Sequence, residues 1–268
     1  MTDGTELKER QKATWTAGAY DEVAAYIAAA SEAAVEALGI EPGMRVLDVA
    51  CGTGNASIPA ARLGAEVTGI DLTPKLVGMA RERAEAEGLE IEFLEGDAEM
   101  LPFDDGAFDR VVSVFGVMFA PDHQRAADEL VRACAAGGRI ATAAWTPEGV
   151  NGRMFATLGS HMPPPPEGFQ PPVLWGSEEH VTTLFAAHEF QPRFERHSVR
   201  FEFDSIDDWM EFSERVLGPV IMAKAVLEPR GKWEAARDDL VTIYEETNQR
   251  SDGTMVVEAE YLLTIVER

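Results

Sequence analysis

The sequence predicts an α/β fold, a doubly wound and mostly parallel sheet with helices on both faces and a helical, proline-rich lid. Three observations carry that expectation. Over residues 46–145, short β-branched or apolar runs alternate with helical stretches, which demands parallel pairing through right-handed crossovers. The run Val46-Leu47-Asp48-Val49 passes at once into Ala50-Cys51-Gly52-Thr53-Gly54, a buried strand turning through glycines toward a helix. The next two strands each end in an acidic residue, Asp71 and Asp97.

In chain order, residues 6–15 and 21–38 read as two leading helices, the second alanine-rich, stopped by Gly39 and Pro42-Gly43. Trp15 and Tyr20 flank a flexible turn between them. They suit either a packed staple or a flap over a ligand, with Tyr20 donating a hydrogen bond. Residues 1–40 are therefore expected to form a leader, and residues 41–268 a single domain. After the first strand come a helix over 55–63 and a second strand over 65–70. Thr73 caps a helix that has Pro74 at its first position and stops at Gly88. A third strand covers 90–94, a turn 101–106, a fourth strand 108–114, and a helix 121–136 closed by Gly137-Gly138, before a fifth strand over 139–145. From residue 146 the pattern changes. Prolines 163–166 and 171–172 make a stiff irregular connection, followed by a helix over 177–187 and a strand over 193–203. Helices over 204–216 and 232–248 precede a last strand over 254–266, so segments 147–176 and 204–250 are expected to form the lid.

Composition narrows the partners. With 23 basic and 47 acidic side chains the net charge is -24, which repels phosphate backbones and argues against a nucleic-acid substrate. No run is long and apolar enough to insert in a membrane, and the polar first ten residues do not resemble a signal peptide. The two cysteines, Cys51 and Cys134, make no disulfide framework, so a cytoplasmic setting is expected.

In an open parallel sheet the ligand sits beyond the carboxyl ends of the strands. Gly52, Thr53 and Gly54 after the first strand, Asp71 after the second and Asp97 after the third converge there. A carboxylate about twenty residues beyond the glycines suits ribose hydroxyls, a feature that nicotinamide and adenosyl cofactors share. The dinucleotide fingerprint wants a third glycine where this chain has Ser57, which disfavours an NAD(P)-dependent oxidoreductase, the main alternative. Asp48 inside the first strand can organise the loop amides near a ligand ammonium. Asp97 can accept from an adenine amine, with Ala98 beside it. A pocket holding Asp48, Asp71 and Asp97 tolerates a sulfonium cation better than a pyrophosphate.

Residues 46–56, Gly69-Ile70-Asp71-Leu72, residues 96–103 and residues 108–115 together resemble the successive motifs of class I S-adenosylmethionine-dependent methyltransferases. The likeness is greatest to the group containing ubiquinone/menaquinone C-methyltransferases and many small-molecule methyltransferases. It covers roughly residues 15–145, and four motifs in order are more specific than any one glycine pattern. The resemblance implies a seven-stranded, Rossmann-like sheet with an antiparallel last strand. It implies S-adenosyl-L-methionine as cofactor and S-adenosyl-L-homocysteine as product. Gly52 and Gly54 would then line the methionine part, with Ala50 and Thr53 in the same loop. Asp71 would bind the ribose with Leu72 beside the adenine, Asp97 and Ala98 would bracket the adenine ring, and Phe115 would lie near the sulfur. Trp15 and Tyr20 would close over the cofactor from the leader.

Methyl transfer from a sulfonium is an in-line displacement, so the enzyme chiefly aligns the reactants in a dry site. A base is wanted only when the acceptor proton is not acidic. His123, Tyr20 and His161 are the candidates for that role; His180, His188 and His197 read as structural. No spacing suggests a metal site. Met154, Phe155, Met162, Phe169, Trp175, Trp209, Met210, Phe212 and Met222 crowd the lid segments. Most should be core, and the remainder would line a pocket for a small apolar or aromatic acceptor. A non-catalytic adenosyl-cofactor-binding protein is a further alternative.

Overall fold

The computed structural model describes residues 4–165 and 169–268, so residues 1–3 of the leader and residue 166 of the proline connection lie outside the described residues. Strands β1 (Arg45–Val49), β2 (Glu66–Asp71), β3 (Ile91–Glu95), β4 (Phe108–Val114), β5 (Cys134–Trp145), β6 (Arg193–Phe203) and β7 (Met255–Glu267) form one sheet in the order β3-β2-β1-β4-β5-β7-β6. β7 runs antiparallel to both neighbours, and the pairs among β1 to β5 are parallel. This is the mostly parallel seven-stranded sheet with an antiparallel last strand that the sequence predicts. The side chains of Val46, Leu47 and Val49 are wholly buried because helices cover both faces of the central strands. Each such burial contributes roughly 1.5–3 kcal/mol.

The helices are α1 (Gly4–Ala17), α2 (Tyr20–Ala24), α3 (Ala28–Leu38), α4 (Ser57–Arg62), α5 (Pro74–Ala86), α6 (His123–Ala133), α7 (Val150–His161), α8 (Glu178–Ala186), α9 (Ile206–Val216), α10 (Gly218–Leu227) and α11 (Trp233–Thr247). The chain leaves β1 toward β2 and β3 on one side, and β4 lies on the other. The strand order therefore reverses between β1 and β4, where an open α/β sheet leaves a crevice. α1 packs against α10 and α5, and α2 packs against α9, so the leader bridges the sheet and the lid.

Several elements differ from the sequence expectation. The helix expected over 21–38 is two, α2 and α3. At the break, Tyr26 packs among Phe201, Phe203 and Phe212 while Ile27 turns toward a cavity, and one straight helix would not serve both. The helix expected over 121–136 ends at Ala133, because Cys134 pairs with Phe108 and starts β5 early. Helix-compatible residues 134–136 yield to the sheet, and Gly137, at φ +76°, sits in an irregular stretch of the strand rather than closing a helix. Thr73 occupies the cap of α5 without making a side-chain cap; Asp71 Oδ1 instead accepts from the Thr73 amide at 2.8 Å. α7 lies in the lid segment 147–176 ahead of the prolines, where the sequence suggests no helix, and α10 starts at Gly218-Pro219, which resembles a turn in sequence. Proline in a first helical turn removes only an amide that has no partner there.

Candidate functional site

At the crevice, two residues other than glycine adopt left-handed backbone: Ala50 (φ +54°) at the end of β1 and Phe115 (φ +50°) at the end of β4. Such conformations cost about 1–3 kcal/mol and persist where the surroundings over-determine them. The surroundings here are tight. A Cβ at Gly116 would meet the Ala50 carbonyl at 2.5 Å, and Ser113 Oγ donates to the Val49 carbonyl at 2.6 Å while accepting from the Val117 amide. The two turns are locked together, with Ala50, Phe115 and Gly116 all on the wall of one cavity. Gly52 (φ +55°) is on that wall too, and a Cβ there would meet no protein atom within 4 Å. The glycine leaves open a cradle between its loop and whatever lies in the cavity.

Three carboxylates organise this half. Asp71 Oδ2 accepts from the Gly52 amide at 2.9 Å and its Oδ1 from the Thr73 amide, so it ties the glycine loop to the start of α5. Each oxygen keeps a second lone pair, and Asp71 lines the cavity. Asp48 lies wholly buried behind the loop, accepting from Ser57 Oγ at 2.6 Å, and burial raises its carboxyl to about 7. Asp97 Oδ2 accepts from Lys8 Nζ of α1 at 2.6 Å and Oδ1 from the Glu99 amide. From the far side, Arg83 clamps the glycine loop by donating to the Thr53 carbonyl, Thr53 Oγ1 and Asn55 Oδ1.

The other half of the cavity is apolar. Phe115 stacks on Trp145 with centroids 3.7 Å apart and planes 6° from parallel, and Trp15 meets Phe119 edge-on at 4.4 Å. Met154, Phe155, Phe201, Trp209, Phe212 and Leu217 continue the lining. Tyr20 Oη accepts from the Gly218 amide at 3.0 Å, fastening the leader to α10, and burial raises the phenol's pKa. Among the described residues, the charged side chains on the wall are Lys8, Asp71 and Asp97, all at the strand-end half.

Of the residues singled out from the sequence, Trp15, Tyr20, Ala50, Gly52, Thr53, Asp71, Leu72, Asp97, Ala98 and Phe115 line this one cavity. Asp48 and Gly54 do not. A Cβ at Gly54 would meet the Phe93 ring at 3.3 Å, so Gly54 packs the back of the loop against β3. His123 is fully buried off the cavity, its Nδ1 3.0 Å from His180 Nε2, and His161 pairs with Asp239 at 2.7 Å between α7 and α11. Neither reaches the cavity wall, so Tyr20 is the one base candidate that does. Of the lid aromatics and methionines, Met154, Phe155, Trp209 and Phe212 face the cavity, whereas Trp175 and Met210 belong to the core. Sequence reasoning missed Phe119, Trp145, Phe201 and Asn151 on the wall. Alternation along the sixth strand offers a signal for Phe201; the fifth strand does not alternate at Trp145, and a lone asparagine offers no signal.

The His123 site has a pH consequence. Burial, then the neighbouring His180, lowers His123 to about 4, from an ordinary value near 6.5. Above pH 6.5 both folded and unfolded states are neutral at this residue, and it contributes no pH dependence. As pH falls toward 4 the unfolded chain takes up the proton first, and the folded state loses up to about 3 kcal/mol. In urea titrations, wild type is expected to lose stability relative to His123→Gln across that window. A difference independent of pH would contradict the assignment.

Among the described residues no group of three or more histidines, cysteines or acidic residues could hold a metal, and no helix is long and apolar enough to cross a membrane. Residues 47–142 match the family described as "Methyltransferase domain". An uncharacterised protein of Mycobacterium tuberculosis is 45% identical over 250 residues, covering 90% of this chain and 91% of that protein. A demethylmenaquinone methyltransferase of Thermus thermophilus is 46% identical over 105 residues, which are 38% of this chain and 48% of that enzyme. In fold, the chain resembles the YcgJ protein of Bacillus subtilis at 18% identity and a TM-score of 0.62, over 89% of this chain and 97% of that one.

Proposed function

Because this chain belongs to the class I S-adenosylmethionine-dependent methyltransferases, we propose that it methylates a small, largely apolar or aromatic acceptor held in the lid half of the cavity. The cofactor S-adenosylmethionine supplies an electrophilic methyl group on a positively charged sulfur. The strand-end residues suit it. The free lone pairs of Asp71 can accept from the ribose hydroxyls, Leu72, Asp97 and Ala98 can frame the adenine, and Ala50, Gly52 and Thr53 can cradle the methionine part. Asp48 and Asp71 supply negative charge for a cation, and the Ser57 hydroxyl, spent on Asp48, offers nothing to a pyrophosphate. Trp15 and Tyr20 would then serve as the flap that the leader lays over the bound cofactor.

One observation carries the reading. Among the described residues, a single cavity joins an acidic strand-end half to an apolar half without charged side chains. An acceptor in the apolar half would face the sulfur across the Phe115–Trp145 pair, with water displaced by aromatic rings, which is what in-line displacement requires. Among the described residues no histidine reaches the wall, which favours an acceptor whose proton is acidic or whose nucleophilic atom carries a free lone pair; Tyr20 is on the wall, with its hydroxyl accepting from the Gly218 amide. The charge of -24 and two free buried cysteines favour a cytoplasmic enzyme without a nucleic-acid partner. Isothermal calorimetry tests the cofactor half. S-adenosylhomocysteine is expected to bind in the micromolar range and NADH not at all, and failure of the former would sink the site assignment.

A further inference from the structure

Among the described residues, Asn151 is the buried polar side chain on the cavity wall that the cofactor half leaves unexplained. It lies in the first turn of α7 and is 8% exposed, yet its amide makes no hydrogen bond with any described residue. Its polar atoms are not sealed inside protein, as the Trp175 and Trp209 indole nitrogens are; they open on the cavity. A primary amide brings two donors and an acceptor, and holding it at such burial without a partner is costly unless something else supplies one. The turn that carries it is rigid. Gly149 N–H donates to Thr146 Oγ1, and a Cβ at Gly152 would meet the Thr146 and Pro147 carbonyls at 2.3 Å, so α7 begins pressed against the end of β5. Met154 and Phe155, three and four residues on, share the face of α7 that lines the cavity.

We propose that Asn151 is the specificity-determining residue for the acceptor, and that the acceptor is a flat apolar ring system bearing one neutral oxygen function, a hydroxyl or carbonyl, hydrogen-bonded to the Asn151 amide. The proposal rests on the reading that the lid half holds the acceptor. Trp145, Phe155, Trp209 and Phe212 favour ring faces. The absence of charged side chains among the described residues on that half of the wall selects against ionised groups, whose burial unpaired is far costlier than that of a hydroxyl. A buried polar group with no protein partner rejects an acceptor that lacks the matching oxygen more strongly than an apolar wall does.

The test uses 2-naphthol and naphthalene, which present the same rings and differ by one hydroxyl. Each is measured by equilibrium dialysis against the full chain saturated with S-adenosylhomocysteine, whose binding is measured separately by calorimetry. Wild type is expected to hold 2-naphthol about tenfold more tightly than naphthalene, the effect of one hydrogen bond in a dry site. Asn151→Leu, of similar volume, and Asn151→Ala are each expected to bring the two probes within about twofold, while S-adenosylhomocysteine binding is kept. The proposal is overturned if either variant, still binding S-adenosylhomocysteine, retains the preference. It is equally overturned if wild type shows no preference, or binds neither probe. Loss of S-adenosylhomocysteine binding by wild type would instead count against the cofactor site.

Discussion

Replacing Asp71 by alanine is expected to weaken S-adenosylhomocysteine binding by at least ~100-fold and to destabilise the fold by roughly 2–4 kcal/mol. Both effects come from one carboxylate. Its two oxygens accept from the Gly52 and Thr73 amides, at 2.9 and 2.8 Å, and Asp71 is only 7% exposed. Without it both amides lose their acceptor in a site where water reaches poorly, and each orphaned donor costs about 1–3 kcal/mol. The glycine loop is then no longer tied to α5, and the ribose loses its acceptor. Calorimetry on the folded fraction, beside urea denaturation, separates the two. An Asp71→Ala protein that keeps wild-type affinity would overturn the role assigned to this carboxylate.

Asp48→Asn is expected to act in the opposite direction on stability. Burial raises the Asp48 carboxyl to about 7, from an ordinary value of 3.8, whereas the hydrogen bond from Ser57 Oγ acts to lower it. The folded-state value lies above the unfolded one, so the stabilising difference is fully present below pH 3.8 and is lost as pH rises through 7. Over that window wild type forgoes a stability of order 4 kcal/mol. The variant carries no charge to bury. Its stability relative to wild type should therefore grow from pH 4 to pH 7 and level off above, as read by urea midpoints at successive pH values. At pH 8 its affinity for S-adenosylmethionine should fall, because the carboxylate no longer opposes the positive charge. A stability difference flat with pH would show that Asp48 is ionised throughout. The expected exchange of stability for affinity is characteristic of charged groups buried at binding sites.

Asp48 also marks the boundary of what was legible in the sequence. Its position inside a β-branched run, two residues before the loop, identifies it as a buried strand carboxylate beneath a glycine turn. That it meets Ser57, and so stands behind the cradle and not on its wall, depends on how α4 begins. His123 makes the same point. At the start of a helix after the fourth strand it resembles a residue facing the strand ends, but α6 turns it onto His180 of α8, 57 positions along the chain.

The sequence by itself determined the sheet, the glycine loop and the two acidic strand ends, and through them the adenosyl cofactor. Those features are local. Period-two and helical patterning, glycine at left-handed turns and carboxylates at strand ends each need only a few neighbouring residues to be recognised. The apolar half of the cavity is assembled from the leader turn, the end of β5, the first turns of α7, β6 and two lid helices, segments up to about two hundred residues apart. No local pattern reports such convergence, because burial and pairing at these positions arise only when the lid packs over the sheet. Tertiary structure alone therefore placed Trp209 on the cavity wall and Trp175 away from it, and left the Asn151 amide without a partner among the described residues.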